Sequence, residues 1–103
     1  NLEISNPKLK FNNLIHVKNL CILVEKTFKK QGFYVFNVGC KYPMYLISII
    51  KFLRKKVGNK KSNIIISIKK NKGFSINIKK ILKHNYNIFS TKKSLSLFIK
   101  ENI

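Results

Sequence analysis

The sequence has very little acid and almost no arginine. It contains no aspartate, three glutamates and one arginine, Arg54, and its other basic residues are all lysine. Proteins that recognise phosphate groups usually use arginine as well as lysine, because a guanidinium group can donate two parallel hydrogen bonds. The scarcity of arginine therefore weighs against selection for nucleic-acid recognition. Alanine and tryptophan are missing as well. Together with the excess of lysine, asparagine and isoleucine, these absences indicate drift towards A- and T-rich codons more than selection for polyanion binding.

Cysteine and histidine are scarce and poorly spaced for metal binding. Cys21 and Cys40 form no Cys-x-x-Cys pair, and neither His16 nor His84 lies in a recognisable ligand pair. No zinc site is therefore predicted. Two cysteines in a domain of this size indicate reduced thiols in a cytoplasmic setting more than a disulfide framework.

Long apolar runs are also missing. The run over residues 44–50 is broken by Lys51, far short of the roughly 20 residues that a membrane span needs. We therefore expect no membrane span and a cytoplasmic location. Because the chain begins with Asn1 and not with methionine, we also expect residues 1–103 to be one segment of a larger protein.

The net charge of +19 has physical consequences whatever its origin. We expect the isolated chain to bind polyanions non-specifically, with an affinity that falls steeply as salt is added. A small lysine-rich nucleic-acid-binding protein, complete in itself, is accordingly the alternative to the enzyme segment described below.

The hydrophobic pattern predicts a helix, a buried strand and a second helix at the centre of the chain. Apolar residues three and four apart predict helices over 17–31 and 44–57. The first is expected to end at Gly32, and the second to begin at Pro43 and to end at Gly58-Asn59. Between them, residues 33–38 have few polar side chains, which is typical of a strand covered on both faces in a mostly parallel sheet. The residues expected to face the core are Leu20, Leu23, Val24, Thr27 and Phe28 in the first helix, and Leu46, Ile47, Ile50, Leu53 and Val57 in the second.

The flanking regions carry weaker signals. Residues 1–10 are predicted to be irregular or to form an edge strand. Residues 62–68 are predicted to form a strand, followed by a charged turn over 69–73. Residues 74–78 are expected to be extended and to lead into a short helix over 78–84 that breaks at Asn85. Ser90 or Thr91 is predicted to cap a last amphipathic helix whose Leu95, Phe98 and Ile99 face inward.

Four stretches, in this order, resemble the C-terminal part of the NAD(P)-dependent epimerase/dehydratase family, the extended short-chain dehydrogenases that act on sugar nucleotides. They are residues 11–17 (FNNLIHV), 34–39 (YVFNVG), 74–80 (FSINIKK) and the closing helix around 95–99. The resemblance implies an α/β fold: the C-terminal portion of a Rossmann-like parallel sheet with flanking helices, plus the small mixed α/β substrate domain. The N-terminal dinucleotide-binding part would be absent.

The resemblance also implies a sugar-nucleotide site near the start of the chain. The family position that often holds a diphosphate-binding arginine is Asn12 here, and Lys8 and Lys10 lie close enough in sequence to act as substitutes. Asn13 and His16 are either substrate-site residues or polar groups that fix the turn into the first helix.

Two acidic positions of the family pattern also differ in this chain. Lys18-Asn19 stands where acidic residues usually follow the His-Val pair, and Asn77 stands where an aspartate commonly precedes the short helix. An acidic side chain at the start of a helix stabilises it by about 0.3–1 kcal/mol through the helix dipole, and this stabilisation is missing at the two replaced positions.

The catalytic machinery of that family is missing from this chain. There is no Gly-rich dinucleotide fingerprint, and none of the four tyrosines is followed four residues later by lysine, the family's acid/base pair. The resemblance thus implies that NAD or NADP is bound in the parent enzyme and not by this segment, which alone would be inactive. The implied partners are a sugar-nucleotide substrate, bound together with the missing part, and a second copy of the parent enzyme in a homodimer.

Overall fold

The computed structural model describes residues 2–58, 63–67 and 74–102 of the chain. These residues form a mixed α/β structure with four helices and two small two-stranded sheets. In chain order the elements are β1 (Leu2–Ser5), β2 (Lys10–Phe11), α1 (Val17–Phe28), β3 (Met44–Tyr45), α2 (Leu46–Val57), β4 (Ile64–Ser67), α3 (Lys79–Lys83) and α4 (Thr91–Asn102). The predicted α/β class is therefore confirmed.

The two sheets differ in direction and both use the start of the chain. β1 pairs in parallel with β4, and Ile4 lies opposite Ile66. β2 pairs antiparallel with β3, so that Lys10 lies opposite Tyr45. The predicted strand at 62–68 is confirmed by β4, and the predicted edge character of residues 1–10 is confirmed by β1. The turn predicted at 69–73 lies outside the described residues.

Helices α1 and α2 begin or end at different residues from those predicted. α1 stops at Phe28 because the amides of Lys29 and Lys30 bond to carbonyls only three residues back, which tightens the last turn. Pro43 does not open α2, since the two residues after it pair with β2 first. Gly58 ends α2 in the left-handed conformation, as predicted, and donates its amide to the Arg54 carbonyl at 3.1 Å.

The second half of the chain follows the predictions more closely. α3 occupies the predicted short helix, and Asn85 breaks it with a φ of 61°. Of the two capping candidates, Ser90 is the one used, because its hydroxyl accepts the amide of Lys93 at 3.0 Å. Residues 74–78 lie in neither a helix nor a strand.

The prediction of a buried strand over residues 33–38 is wrong for this structure. The segment forms no strand, and Phe33 is 91% exposed. Val35 is exposed too, and its carbonyl accepts the ammonium of Lys80 at 2.8 Å. The physical reason is that no described strand lies alongside the segment, so its apolar pattern has no sheet to join.

Several residues predicted to face the core are exposed. Leu20 and Val24 are partly exposed on α1, and Phe28 is 85% exposed. Val57 on α2 and Phe98 on α4 are about half exposed. The inward positions are instead occupied by Ile49 on α2 and by Thr91 and Ser94 on α4, all of them buried. These helices carry apolar stripes that the described part of the chain covers only in part.

The buried core lies between α1, α3 and the residues that follow α3. It is centred on Leu23, Ile81, Tyr86 and Ile88, with Phe36 and Val38 packed against its edge. Phe36 meets the Tyr86 ring edge-on at a centroid distance of 5.2 Å. Only the even-numbered side of the 33–38 segment therefore reaches the core.

Lysines in this acid-poor chain interact with rings and carbonyl oxygens. Lys26 Nζ lies 4.7 Å from the centroid of the Tyr86 ring and also donates to the Asn85 carbonyl. Lys30 Nζ lies 5.4 Å from the Tyr34 centroid. Such cation–π contacts stabilise by about 0.5–1 kcal/mol at exposed sites.

No described helix is both long enough and apolar enough to span a membrane.

Candidate functional site

Asn12 joins three separate parts of the chain at one point. Its side chain is 1% exposed, and Nδ2 donates to the carbonyls of Cys40 at 3.1 Å and Ile76 at 2.9 Å. Its Oδ1 accepts the Ile76 amide at 2.7 Å, and its main-chain oxygen accepts the Cys40 amide at 3.0 Å. Residues 12, 40 and 76 are thereby fixed together, and we call this contact the Asn12 junction.

Gly39 fits the Asn12 junction because it has no side chain. A Cβ at this position would lie 3.0 Å from the Asn12 oxygen and 3.2 Å from Ile76 Cβ. The glycine of the Asn-Val-Gly sequence therefore lets two loops approach each other closely.

A cleft of about 890 Å³ opens beside the Asn12 junction. It lies between the loop 40–43, the segment 75–79 and residues 85–87. Its polar lining residues include Lys41, Ser75, Asn77, Lys79, Asn85 and Asn87. Apolar side chains, among them Pro43, Ile78 and Leu82, form much of the remaining wall. Among the described residues no carboxylate lines the cleft, and its amide, hydroxyl and ammonium groups could donate hydrogen bonds to an anionic ligand with hydroxyl groups.

Tyr42 sits at the rim of the cleft in an unusual backbone conformation. Its φ is 53°, in the left-handed region that non-glycine residues seldom adopt, and its side chain is exposed. Next to it, Lys41 donates its amide to the Phe89 carbonyl, and its own carbonyl accepts the amide of Thr91 at 2.9 Å. These two bonds fix the loop to the start of α4 and hold Tyr42 in place.

The residues predicted from the resemblance divide between the cleft and other places. Asn12 lines the cleft, but both of its amide hydrogens are already donated within the protein. Lys8 and Lys10 are exposed outside the cleft lining, and Lys10 Nζ lies 5.6 Å from the Tyr45 ring centroid. Asn13 Oδ1 is buried without a hydrogen-bond partner among the described residues. Substrate contact by these residues stays a prediction.

His16 links the start of α1 to the end of α4. The ring is 7% exposed, Nδ1 accepts the Lys18 amide at 3.1 Å as the helix cap, and Nε2 lies 3.1 Å from Glu101 Oε2. With Nδ1 accepting, the neutral ring carries its proton on Nε2 and donates it to the carboxylate. Of the two roles considered for His16, the contacts favour fixing the turn.

Glu101 is held in its charged form by this arrangement. Desolvation acts to raise its pKa, but hydrogen bonds from His16 and Lys18 outweigh that effect, and the pKa lies below its usual value. The Lys18 ammonium lies 3.4 Å from Oε1.

Cys40 is a buried structural thiol. It is 0% exposed, and Sγ lies 3.0 Å from the Leu14 carbonyl oxygen and 3.2 Å from Ser94 Oγ. Burial raises the thiol pKa, and the Ser94 hydrogen bond offsets only part of that rise. Cys40 is therefore poorly suited to act as a nucleophile. Both Cys40 and the exposed Cys21 are free thiols, as predicted.

Sequence reasoning missed the structural role of Asn19. This side chain is fully buried, donates to the Asn87 carbonyl at 2.8 Å and accepts the Phe89 amide at 2.8 Å. Its position four residues before the buried Leu23 places it on the inner face of α1, which was the available signal. Asn77, the other replaced acid, lies one residue before the N-cap Ile78, and its Oδ1 accepts the amide of Lys79, the first residue of α3, at 3.0 Å.

No group of three or more metal-ligating side chains occurs within the described ranges. Comparisons with protein-family models, with curated proteins and with solved structures found no match for this chain.

Proposed function

We propose that this chain is the C-terminal substrate-binding segment of an NAD(P)-dependent epimerase, dehydratase or reductase that acts on a sugar nucleotide. The observation that carries the proposal is the Asn12 junction. It hydrogen-bonds the family-like stretch of Asn12 to that of Ile76 and to Cys40, the residue directly after the stretch 34–39, and all three residues lie at one cleft. Gly39, the last residue of the stretch 34–39, also lies against Asn12.

The chemistry of the cleft suits the proposed substrate. Lys41 and Lys79 offer positive charge for a diphosphate, while Asn77, Asn85 and Asn87 offer amide groups for sugar hydroxyls. The volume of about 890 Å³ lies within the range usual for small-molecule sites.

The exposed segment 33–38 supports a place in a larger sheet. Its odd-numbered residues Phe33 and Val35 are exposed, and its even-numbered residues Phe36 and Val38 pack on the core. A strand with apolar residues on both sides is typical of a parallel sheet covered on both faces. In the proposal, the part of the parent protein that contains the cofactor site supplies the neighbouring strands.

The residues of this chain do not fit an NAD(P) site. A dinucleotide needs a Gly-rich turn between a strand and a helix, and the sequence has no such turn. The segment binds and orients the sugar nucleotide in this proposal, while hydride transfer depends on residues elsewhere in the parent enzyme.

The proposal is tested by titrating the isotopically labelled chain with UDP-glucose, TDP-glucose and GDP-mannose and following amide shifts by NMR. At least one nucleotide sugar should move the signals of Lys41, Asn77 and Asn87. A Lys41→Gln/Lys79→Gln variant should bind it at least about tenfold more weakly, whereas the charge-matched control Lys29→Gln/Lys83→Gln should not. Inorganic pyrophosphate at equal ionic strength measures simple charge attraction. Equal shifts with pyrophosphate, or shifts spread over the whole lysine surface, would overturn the proposal.

The coding sequence gives a second, independent test. If the chain is a segment, the reading frame upstream of Asn1 should encode a Gly-rich turn and a Tyr-x-x-x-Lys pair. The isolated segment should also self-associate as its concentration rises, because apolar residues such as Phe33 and Val35 are exposed in the described part of the chain. A chain that stays monomeric up to high concentration would count against the proposal.

A further inference from the structure

An apolar groove of about 240 Å³ runs along one side of α1. The described residues that line it are Leu20, Leu23, Val24, Thr27, Phe28, Phe36, Val38, Ile81 and Tyr86. The polar side-chain atoms of this set are the hydroxyl oxygens of Thr27 and Tyr86, which lie 2.8 Å apart and bond to each other. The groove therefore suits apolar side chains and not a polar small molecule.

Three residues of α1 leave the groove open to a partner. Leu20, Val24 and Phe28 follow one another at intervals of four residues, so they form one row of about 12 Å along the helix. Leu20 and Val24 are partly exposed, and Phe28 is largely exposed. Side chains at positions i, i+4 and i+7 of a second helix span a similar distance.

Three lysine ammonium groups lie against the aromatic rings of the groove. Lys26 Nζ and Lys30 Nζ lie 4.7 and 5.0 Å from the centroid of the Tyr86 ring. Lys80 Nζ lies 5.5 Å from the centroid of the Phe36 ring, which meets the Tyr86 ring edge-on. The three cations thus belong to the same cluster of rings, and none of the described residues that line the groove carries a carboxylate.

We infer that this groove binds an acidic amphipathic helix of a partner protein. The apolar face of such a helix covers the row on α1, and carboxylates beside that face meet the ammonium groups of Lys26, Lys30 and Lys80. Glu25, the one acid of α1, does not line the groove and so does not oppose this binding there. The inference does not rest on the sugar-nucleotide proposal, because Tyr86 is the one residue that lines both groove and cleft.

Shape and charge favour this partner over three others. A second copy of the chain would bring the same lysines to the groove and repeat a net charge of +19. A nucleic-acid duplex offers phosphates but no apolar side chains. A lipid surface could take up the projecting Phe28, but it could not reach the recessed Leu23 and Ile81, which are buried.

The first experiment compares three peptides of equal net charge. The probe is a fluorescent peptide of about 18 residues with leucine every three or four positions and glutamate beside the leucines. One control has the same residues in an order that places the leucines on all sides, and the other has glutamine for leucine. By anisotropy, the probe should bind the full chain at least about tenfold more tightly than either control. Equal binding of all three would mean charge attraction alone and would overturn the inference.

Two pairs of variants locate the site. Val24→Gln/Phe28→Gln should weaken probe binding at least about tenfold, whereas Val57→Gln/Phe98→Gln, at partly exposed positions outside the groove, should change it less than about threefold. Lys30→Gln/Lys80→Gln should weaken binding about threefold or more at low salt, and the matched Lys51→Gln/Lys55→Gln on α2 should not. Lys30→Arg/Lys80→Arg should keep the parent affinity. Equal losses within either matched pair would contradict the inference.

A spin-labelled probe tests the unaltered chain and does not depend on the folding of a variant. It should broaden the amide signals of residues 20–28 more than those of α2, and even broadening of both would overturn the inference. Tighter binding to phosphatidylserine vesicles than to the probe, lost in Val24→Gln/Phe28→Gln, would assign the groove to a membrane surface and would overturn it as well.

Discussion

The Asn12 junction and the segment 33–38 are adjacent in the chain and opposite in character. The junction is buried and polar, and Asn12 and Cys40 have their polar groups paired within the protein. The segment is largely exposed and apolar, and it forms no strand with any described residue. Gly39 is the boundary between the two regions, because Gly39 and Cys40 are buried whereas most of the segment before them is exposed.

This difference shows which region the chain can complete by itself. Buried polar groups must find partners, since each one left unpaired costs about 1–3 kcal/mol. The junction meets this requirement with loops that lie 28 and 64 residues away from Asn12 in the chain. An apolar strand instead needs neighbouring strands on its edges and cover on its faces, and the described part of the chain supplies cover mainly on one face.

The largest expected effect comes from breaking the Asn12 junction. Asn12→Ala leaves the Cys40 carbonyl and both main-chain groups of Ile76 without their partners, which should lower the free energy of unfolding by about 3 kcal/mol or more. Asn37→Ala, at an exposed asparagine of the neighbouring segment, should cost less than about 0.5 kcal/mol. Urea unfolding at low protein concentration measures both variants. Equal losses would mean that the two regions do not differ as described.

Thiol reactivity should sharpen the comparison. Cys40 is buried at the junction and its pKa is raised by burial, whereas Cys21 is exposed on α1. If opening the junction costs roughly 3 kcal/mol, Cys40 should react with a thiol reagent about 100-fold more slowly than Cys21. Mass spectrometry of timed samples resolves the two sites, and in denaturant the two rates should converge. Comparable rates in the native chain would contradict the buried position of Cys40.

Replacing exposed aromatic residues at and near the segment 33–38 should reduce self-association of the chain and leave its free energy of unfolding nearly unchanged. Phe28 and Phe33 are 85% and 91% exposed, so Phe28→Ser/Phe33→Ser should change the unfolding free energy by less than about 1 kcal/mol. The same variant should aggregate less, because two large apolar groups are removed from the surface. Light scattering against concentration measures this effect. As a control, Ile81→Ser, which alters a buried core residue, should destabilise the chain strongly.

The smallest effect should be a pH dependence at the His16–Glu101 contact. Because the pKa of Glu101 is lower in the folded chain, its stabilising contribution is complete above the unfolded value, about 4.3, and disappears as pH falls through the lower folded value. The parent chain should thus lose more stability than Glu101→Gln on acidification, and the two should then run parallel. Unfolding midpoints measured from pH 6 to pH 3 test this. Identical pH profiles would show that the contact is not maintained in solution.

Signals that depend on neighbours in the chain predicted the structure well. Gly58 and Asn85 adopt the left-handed conformations expected of them, and Ser90 caps α4. The strand at 62–68 was predicted correctly as well. In each case the deciding physical factor, a φ preference, a side-chain cap or a β-branched run, acts over a few residues.

Predictions that depend on what covers a surface were less successful. The apolar residues of the 33–38 segment and of α1 correctly indicated faces that could be buried, but not whether this chain would bury them. The same holds for the site. Asn12 was predicted and does lie at the cleft, but its three side-chain hydrogen bonds span 28 and 64 residues. Lys41 and Asn87 line the cleft only because these distant segments meet.

The sequence by itself determined the α/β class, the helix ends at Gly58 and Asn85, the free thiols and the strong positive charge. It did not determine the end of α1, which stops at Phe28, four residues before Gly32. Only the tertiary structure decided which polar side chains are hydrogen-bonded within the protein and which line the cleft. The reason is physical: capping and φ preferences act within a turn of chain, whereas hydrogen-bond partners and charge proximity depend on segments that meet only after folding.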